Sequence, residues 1–238
     1  MVGGLIIAAL RVHVVAVAAV VAAVTLVACG APSSDPATLL RQAKQAVDTA
    51  PSAHFELTSS PVKGGGPFIT GGSGDMKRPN SFTGSLTVDF SGLSLSIQVV
   101  AIGGVFYAQL PTSTSFQKTD PAAYGFGDPS TFLDPNHGLS NLLTICTQPS
   151  LGSDDRNNGE ELHEVNCSLP GNAVASLLTD AAPSQPVSAT FGIASASHQL
   201  RKVVLTGPFY MGAGTTTFTL IIDGYGKSVT ITPPPNAS

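Results

Sequence analysis

Tryptophan is absent from the 238 residues, methionine occurs three times, and charged side chains make up only 11% of the chain, against roughly 25% in an ordinary soluble domain. The scarcity is two-sided. Eleven Lys and Arg stand against 15 Asp and Glu, and the basic residues never cluster. A protein that gains affinity by neutralising phosphates needs such a cluster, so nucleic acid is not an expected partner. Disorder is excluded for the opposite reason: 42% of the residues are hydrophobic, enough apolar surface to offset chain entropy.

Reactive motifs are missing as well. There is no Gly-x-Ser-x-Gly elbow, Cys-x-x-Cys, His-Glu-x-x-His or dinucleotide fingerprint. Neither Gly64-Gly65-Gly66 nor Gly71-Gly72-Ser73-Gly74 runs into the Gly-Lys-Ser/Thr of a phosphate loop. Both glycine-rich stretches read as turns or flexible rims. The five histidines are scattered. His54 falls on the polar face of a strand, His198 leads into another, and His163-Glu164 decorates a third. None has a partner at a spacing that would orient a general base. The pairs Asp154-Asp155 and Glu160-Glu161 lie in a polar loop and read as solvated charge. The residues therefore give no reason to expect an enzyme, a cofactor or a metal centre.

What the chain does have begins with an apolar run. Hydrophobic residues fill 23 of the first 28 positions, and the run closes on Leu26-Val27-Ala28-Cys29. An apolar segment ending in small residues is the pattern of a secretory signal. Leu-Val-Ala-Cys matches the bacterial lipobox, whose cysteine is acylated and becomes the new N-terminus. Residues 1–28 thus read as a signal and 29–34 as a lipidated tether. The mature domain spans 35–232 and a flexible tail 233–238. The expected place of the protein is the extracytoplasmic face of the cell membrane, held through Cys29. That leaves Cys146 and Cys167 in an oxidising compartment, where a single disulfide is the default. A metal site of Cys146, His163 and Cys167 is a rival with poor spacing for zinc.

In the mature chain, Asp35-Pro36 caps a helix whose Leu39, Leu40, Ala43, Ala46, Val47 and Ala50 follow at helical spacing and put one apolar stripe against a core. After Pro51 the period changes to two. Leu86, Val88 and Phe90 alternate with polar residues, as do Leu93, Leu95, Ile97, Val99 and Ala101. Turns at Ser91-Gly92 and Gly103-Gly104 join segments 86–90, 93–101 and 105–110 into an antiparallel meander. Asp134-Pro135 predicts a helix carrying Leu139, Leu142, Leu143 and Cys146 on one face. Pro170 predicts a third, with Val174, Leu177, Leu178 and Ala181. Strands are expected at 161–168, 187–193, 199–206, 216–223 and 228–232. The whole is an α+β domain. Its many strand aromatics fit a filled core or a cavity lining equally well.

Six ordered blocks carry a resemblance. They are residues 52–58 (Ser-Ala-His-Phe-Glu-Leu-Thr), 104–110 (Gly-Val-Phe-Tyr-Ala-Gln-Leu), 128–143, 186–193, 197–200 and 224–231. In this order they resemble the LppX/LprA/LprF/LprG lipoproteins of mycobacteria over nearly all the mature chain. The resemblance implies a strongly curved antiparallel half-barrel, with helices on its concave face around a hydrophobic cavity. It implies a monomeric, non-catalytic carrier of a multi-acyl lipid or glycolipid, with a membrane lipid transporter as partner. Leu86, Val88, Phe90, Leu95, Ile97 and Val99 would line the cavity from the strands, and Leu142, Leu143, Val174 and Leu177 from the helices. Two features depart from the family. Tryptophans usual near Phe191 and Tyr225 are replaced, and the Cys146–Cys167 pair is an addition.

Overall fold

Asp35 starts the first helix as its side chain accepts the Thr38 N–H at 3.0 Å, and Pro36 occupies the first turn, where a missing donor costs nothing. In the computed structural model, residues 35–238 are described, apart from 63, 65–66, 176, 178–183, 211, 236 and 238. The expected signal, Cys29 and tether lie outside the described residues, as do Leu178 and Ala181.

Helix α1 (Pro36–Thr49) buries Leu39, Leu40, Ala43 and Val47. Its last carbonyls are taken up by a distant side chain: Arg78 donates from Nε to Ala50 O at 2.9 Å and from Nη2 to Val47 O at 3.1 Å. Six strands follow, β1 (Ser52–Ser59), β2 (Pro67–Lys77), β3 (Ser81–Phe90), β4 (Leu93–Ile102), β5 (Val105–Gln109) and β6 (Gln117–Thr119). After two short 3-10 turns at 121–124 and 129–131 come α2 (Leu139–Thr144), β7 (Thr147–Leu151), β8 (Asp155–Asn157) and β9 (Glu160–Leu169). The chain closes with α3 (Gly171–Ala175), β10 (Val187–Ala194), β11 (Leu200–Gly207) and β12 (Thr216–Asp223).

All twelve strands belong to one antiparallel sheet, ordered β6-β5-β4-β3-β2-β1-β12-β11-β10-β9-β7, with β8 beside β9. The sheet is open, and its two margins are the short strands β6 and β7, which limits edge-to-edge association. Pairing β1 with β12 joins the first and last strands of the sheet's chain order, with Phe55 opposite Ile222 and Leu57 opposite Leu220.

Several expectations change. The glycine stretch 71–74 is not a rim but the middle of β2. Gly74 lies between Phe55 of β1 and Gly84 of β3 in the ladder. A Cβ on Gly74 would meet the Thr83 carbonyl oxygen and sit 2.8 Å from the Gly84 Cα and 3.1 Å from the Phe55 ring. Here glycine marks close approach rather than a turn. Asp134 does not cap α2. Its Oδ1 accepts the Asn136 and His137 N–H groups at 2.8 and 2.9 Å, forming a local turn, and the helix begins only at Leu139. Residues 228–232 are not a strand, and β7 and β8 occupy the stretch read as a polar loop.

Cys146 and Cys167 form a disulfide, with Cα atoms 5.7 Å apart across 21 residues of sequence. Replacing both by serine is expected to lower unfolding stability by about 3 kcal/mol in the chain-entropy account, read as a lower urea midpoint.

Candidate functional site

On the inner face of the sheet, Phe55 and Ile222 are 1% and 2% exposed, yet the next inward pair, Leu57 and Leu220, is only half-buried. The reason is a cavity of about 90 Å³. Its sheet wall comes from β1 (Phe55, Leu57), β2 (Ile69), β3 (Phe82, Leu86), β11 (Val203, Leu205) and β12 (Phe218, Leu220). The opposite wall comes from Phe126, Pro129, Phe132, Leu139 and Leu177. Two of these sit in segments that owe their shape to capped turns. Asp128 Oδ1 accepts the Ser130 N–H at 2.9 Å and fixes the 129–131 turn, and Gly127 N donates to Leu177 O at 3.0 Å.

Among the described residues every lining side chain is a hydrocarbon. None of them can act as nucleophile, base or metal ligand, so a ligand here would be held by burial alone. One end is rigid. Phe55, Phe82 and Phe132 form a triangle with centroid separations of 5.4, 5.9 and 6.5 Å, two of the three contacts edge-to-face. Gly74 leaves space against which the Phe55 ring lies.

Of the residues expected to line a cavity, Leu86 and Leu177 do so. Val88, Ile97, Val99, Leu142, Leu143 and Val174 are instead packed in the surrounding core, and Leu95 is half-buried. Phe90 is 55% exposed at the tip of the β3–β4 hairpin, because the alternating face of β3 outruns the layer that covers it. Among the described residues the longest helix, α1, supplies no lining side chain, and Leu139 of α2 is the one lining residue from an α-helix. Sequence reasoning missed β1, β11 and β12 as walls. Their inward alternation was visible, but nothing in it separates a filled row from a hollow one.

Charged groups gather outside the cavity. Lys202 Nζ lies 2.7 Å from Asp155 Oδ2 and 3.4 Å from Glu164 Oε1. The hydrogen bond from Lys202 holds the Asp155 carboxyl below its ordinary range, and the same bond raises Lys202. Lys202→Met is expected to return Asp155 upward toward the usual carboxylate value, followed by NMR titration. His54 does have a partner that its sequence spacing hid. The ladder sets it opposite Asp75, and Nδ1 lies 2.8 Å from Oδ1. The half-buried Tyr225 donates its hydroxyl to Leu200 O at 2.7 Å, and desolvation raises its pKa. His163 pairs with Asp154 at 3.0 Å, and the disulfide removes both thiolates from the rival metal set. Among the described residues no group of three His, Cys, Asp or Glu is arranged to hold a metal.

An open twelve-stranded antiparallel sheet with an all-hydrocarbon cavity against its inner face defines a scaffold built around apolar volume rather than around a reactive cleft. The chain belongs to the LppX_LprAFG lipoprotein family, whose model matches residues 35–231. It is 28% identical over 208 residues to the lipoarabinomannan carrier protein LprG of Mycobacterium tuberculosis, covering 87% of this chain and 85% of that protein. The LprG of Mycobacterium leprae matches at 28% over 177 residues, 72% of each chain. Among solved structures, LprF from Mycobacterium bovis superposes with a TM-score of 0.66 at 15% identity, over 86% of this chain and 99% of that one. Mycobacterium tuberculosis LppX gives 0.61 at 19%, over 84% and 100%. Both share the fold.

Proposed function

We propose that this protein is a membrane-anchored lipid carrier of the extracytoplasmic face. It takes up the acyl chains of a multi-acyl lipid or glycolipid and moves that lipid across the envelope without covalent change. The observation that carries the reading is the cavity wall, which is hydrocarbon throughout. The name of the LprG relatives, lipoarabinomannan carriers, supports it. Acylation at Cys29, monomeric action and hand-over to a membrane lipid transporter belong to the same proposal.

Size shapes the mechanism. A cavity of about 90 Å³ is well under the roughly 300–1,000 Å³ of pockets that hold drug-sized ligands. Lipid uptake on this account requires the outer wall of Phe126, Pro129, Phe132, Leu139 and Leu177 to move off the sheet. Burial of acyl chain offsets that cost at about 0.8 kcal/mol per methylene, so fourteen methylenes contribute on the order of 11 kcal/mol.

The small cavity also favours a second reading, an accessory lipoprotein that works through protein contacts. The two separate in a transfer assay. Delipidated protein is mixed with donor vesicles carrying a fluorescent diacyl lipid and with unlabelled acceptors. A carrier is expected to speed transfer at least tenfold over the protein-free rate. Transfer at the protein-free rate supports the accessory role.

A further inference from the structure

Apolar and charged surface separate along the strands. Leu93 pairs with Phe90, Phe90 with Pro67, Thr216 with Gly207 and Val187 with Leu169, which places all of them at one end of the sheet. Among the described residues the connections at that end, within 60–64, 91–92, 170–186 and 208–215, carry no charged side chain; Lys63 and Asp180 lie outside the described residues. Asp89 lies beside the hairpin tip but turns its carboxylate back onto the Gly92 N–H at 2.9 Å. The other end is charged. Lys77 pairs with Ser52, Asp223 with His54, Glu160 with Asn157 and Glu161 with Arg156.

At the charge-poor end, Phe90 and Leu93 are 55% and 61% exposed and face each other across the hairpin. The cavity reaches toward this end. Leu57, Ile69, Leu205 and Phe218 line it, each two positions in from the end of its strand, while Phe82 lines it near the opposite end of β3.

We propose that this end is a bilayer-docking surface. It seats Phe90 and Leu93 in the boundary between headgroups and acyl chains and so sets the cavity against the membrane. Charge complementarity selects the occupant. A bilayer interior penalises charge and rewards apolar rings and branched chains, and the molecule keeps its charge at the end turned away. The purpose of docking rests on the lipid-carrier reading; its geometry does not.

The absence of tryptophan supplies the test. Leu93→Trp and Ser197→Trp each give the full-length acylated chain one indole, at the hairpin tip and in the turn at the charged end. In phosphatidylcholine vesicles with brominated acyl chains, Leu93→Trp fluorescence is expected to fall at least twofold, while Ser197→Trp fluorescence stays within a tenth of its unbrominated value. Equal quenching, or stronger quenching at 197, overturns the proposal. Phe90→Ser with Leu93→Ser is further expected to slow lipid transfer between vesicles at least tenfold with bound lipid per protein unchanged. Wild-type transfer by that double variant also overturns it. Quenching of Leu93→Trp together with a wild-type protein that transfers nothing leaves the docking surface standing and removes the carrier reading.

Discussion

Leu86→Trp is expected to cut co-purifying lipid at least tenfold while the protein stays folded. Leu86 is 5% exposed, lines the cavity from β3, and packs its Cδ2 against the space a Cβ on Gly72 would take. Backbone on one side and open volume on the other leave a larger ring only one direction, into the cavity of about 90 Å³. The cost of overpacking, about 1–3 kcal/mol, is within the stability of a typical domain. Lipid extraction and mass measurement read the first effect, and near-ultraviolet circular dichroism the second. Leu151→Trp, on the exposed edge strand β7, is the control and should keep its lipid. Undiminished lipid in Leu86→Trp would show that the acyl chains lie elsewhere.

Gly74→Val is expected to have the largest effect on folding, a loss of at least about 3 kcal/mol. The added Cβ meets the Thr83 carbonyl and the Gly84 Cα, both backbone, and the ring of Phe55. Backbone in three paired strands cannot move aside as a side-chain tip can. The damage reaches the site, because Phe55 lines the cavity and belongs to its aromatic triangle. Gly159→Asn is the matching control. Gly159 has φ +83° with nothing within 4 Å of the added atom, and asparagine tolerates that left-handed conformation, so its cost should stay under about 1 kcal/mol. Urea midpoints for the two variants test the difference.

The period-two alternation of 86–90 and 93–101 foretold β3 and β4 because one face of each is buried and the other wet. The cap and first-turn proline at Asp35-Pro36 foretold α1 for an equally local reason. Strand β2 was hidden because glycine, which elsewhere signals a turn, is used at 74 for its missing side chain. That requirement comes from the backbone of Thr83 and Gly84 on one side and the Phe55 ring, nineteen positions earlier in sequence, on the other, neighbours that only the ladder brings together. Val88 and Leu86 show the limit for the site. Both point inward from β3 and both are buried, yet only Leu86 touches the cavity. What distinguishes them is the segment lying opposite, and Phe126, Pro129, Phe132 and Leu177 reach that position through turns whose direction no periodicity encodes. The family resemblance supplied the idea of a cavity, and the structure supplied its walls and its small volume.

The resting volume and the carrier reading meet in one experiment. The non-acylated Cys29→Ser protein is purified from a mycobacterial host under gentle conditions. It is then measured intact by native mass spectrometry, and the lipid fraction is identified after extraction. The account predicts a dominant species heavier than the polypeptide by one multi-acyl lipid, lost on extraction. A spectrum holding only the bare polypeptide mass would contradict it.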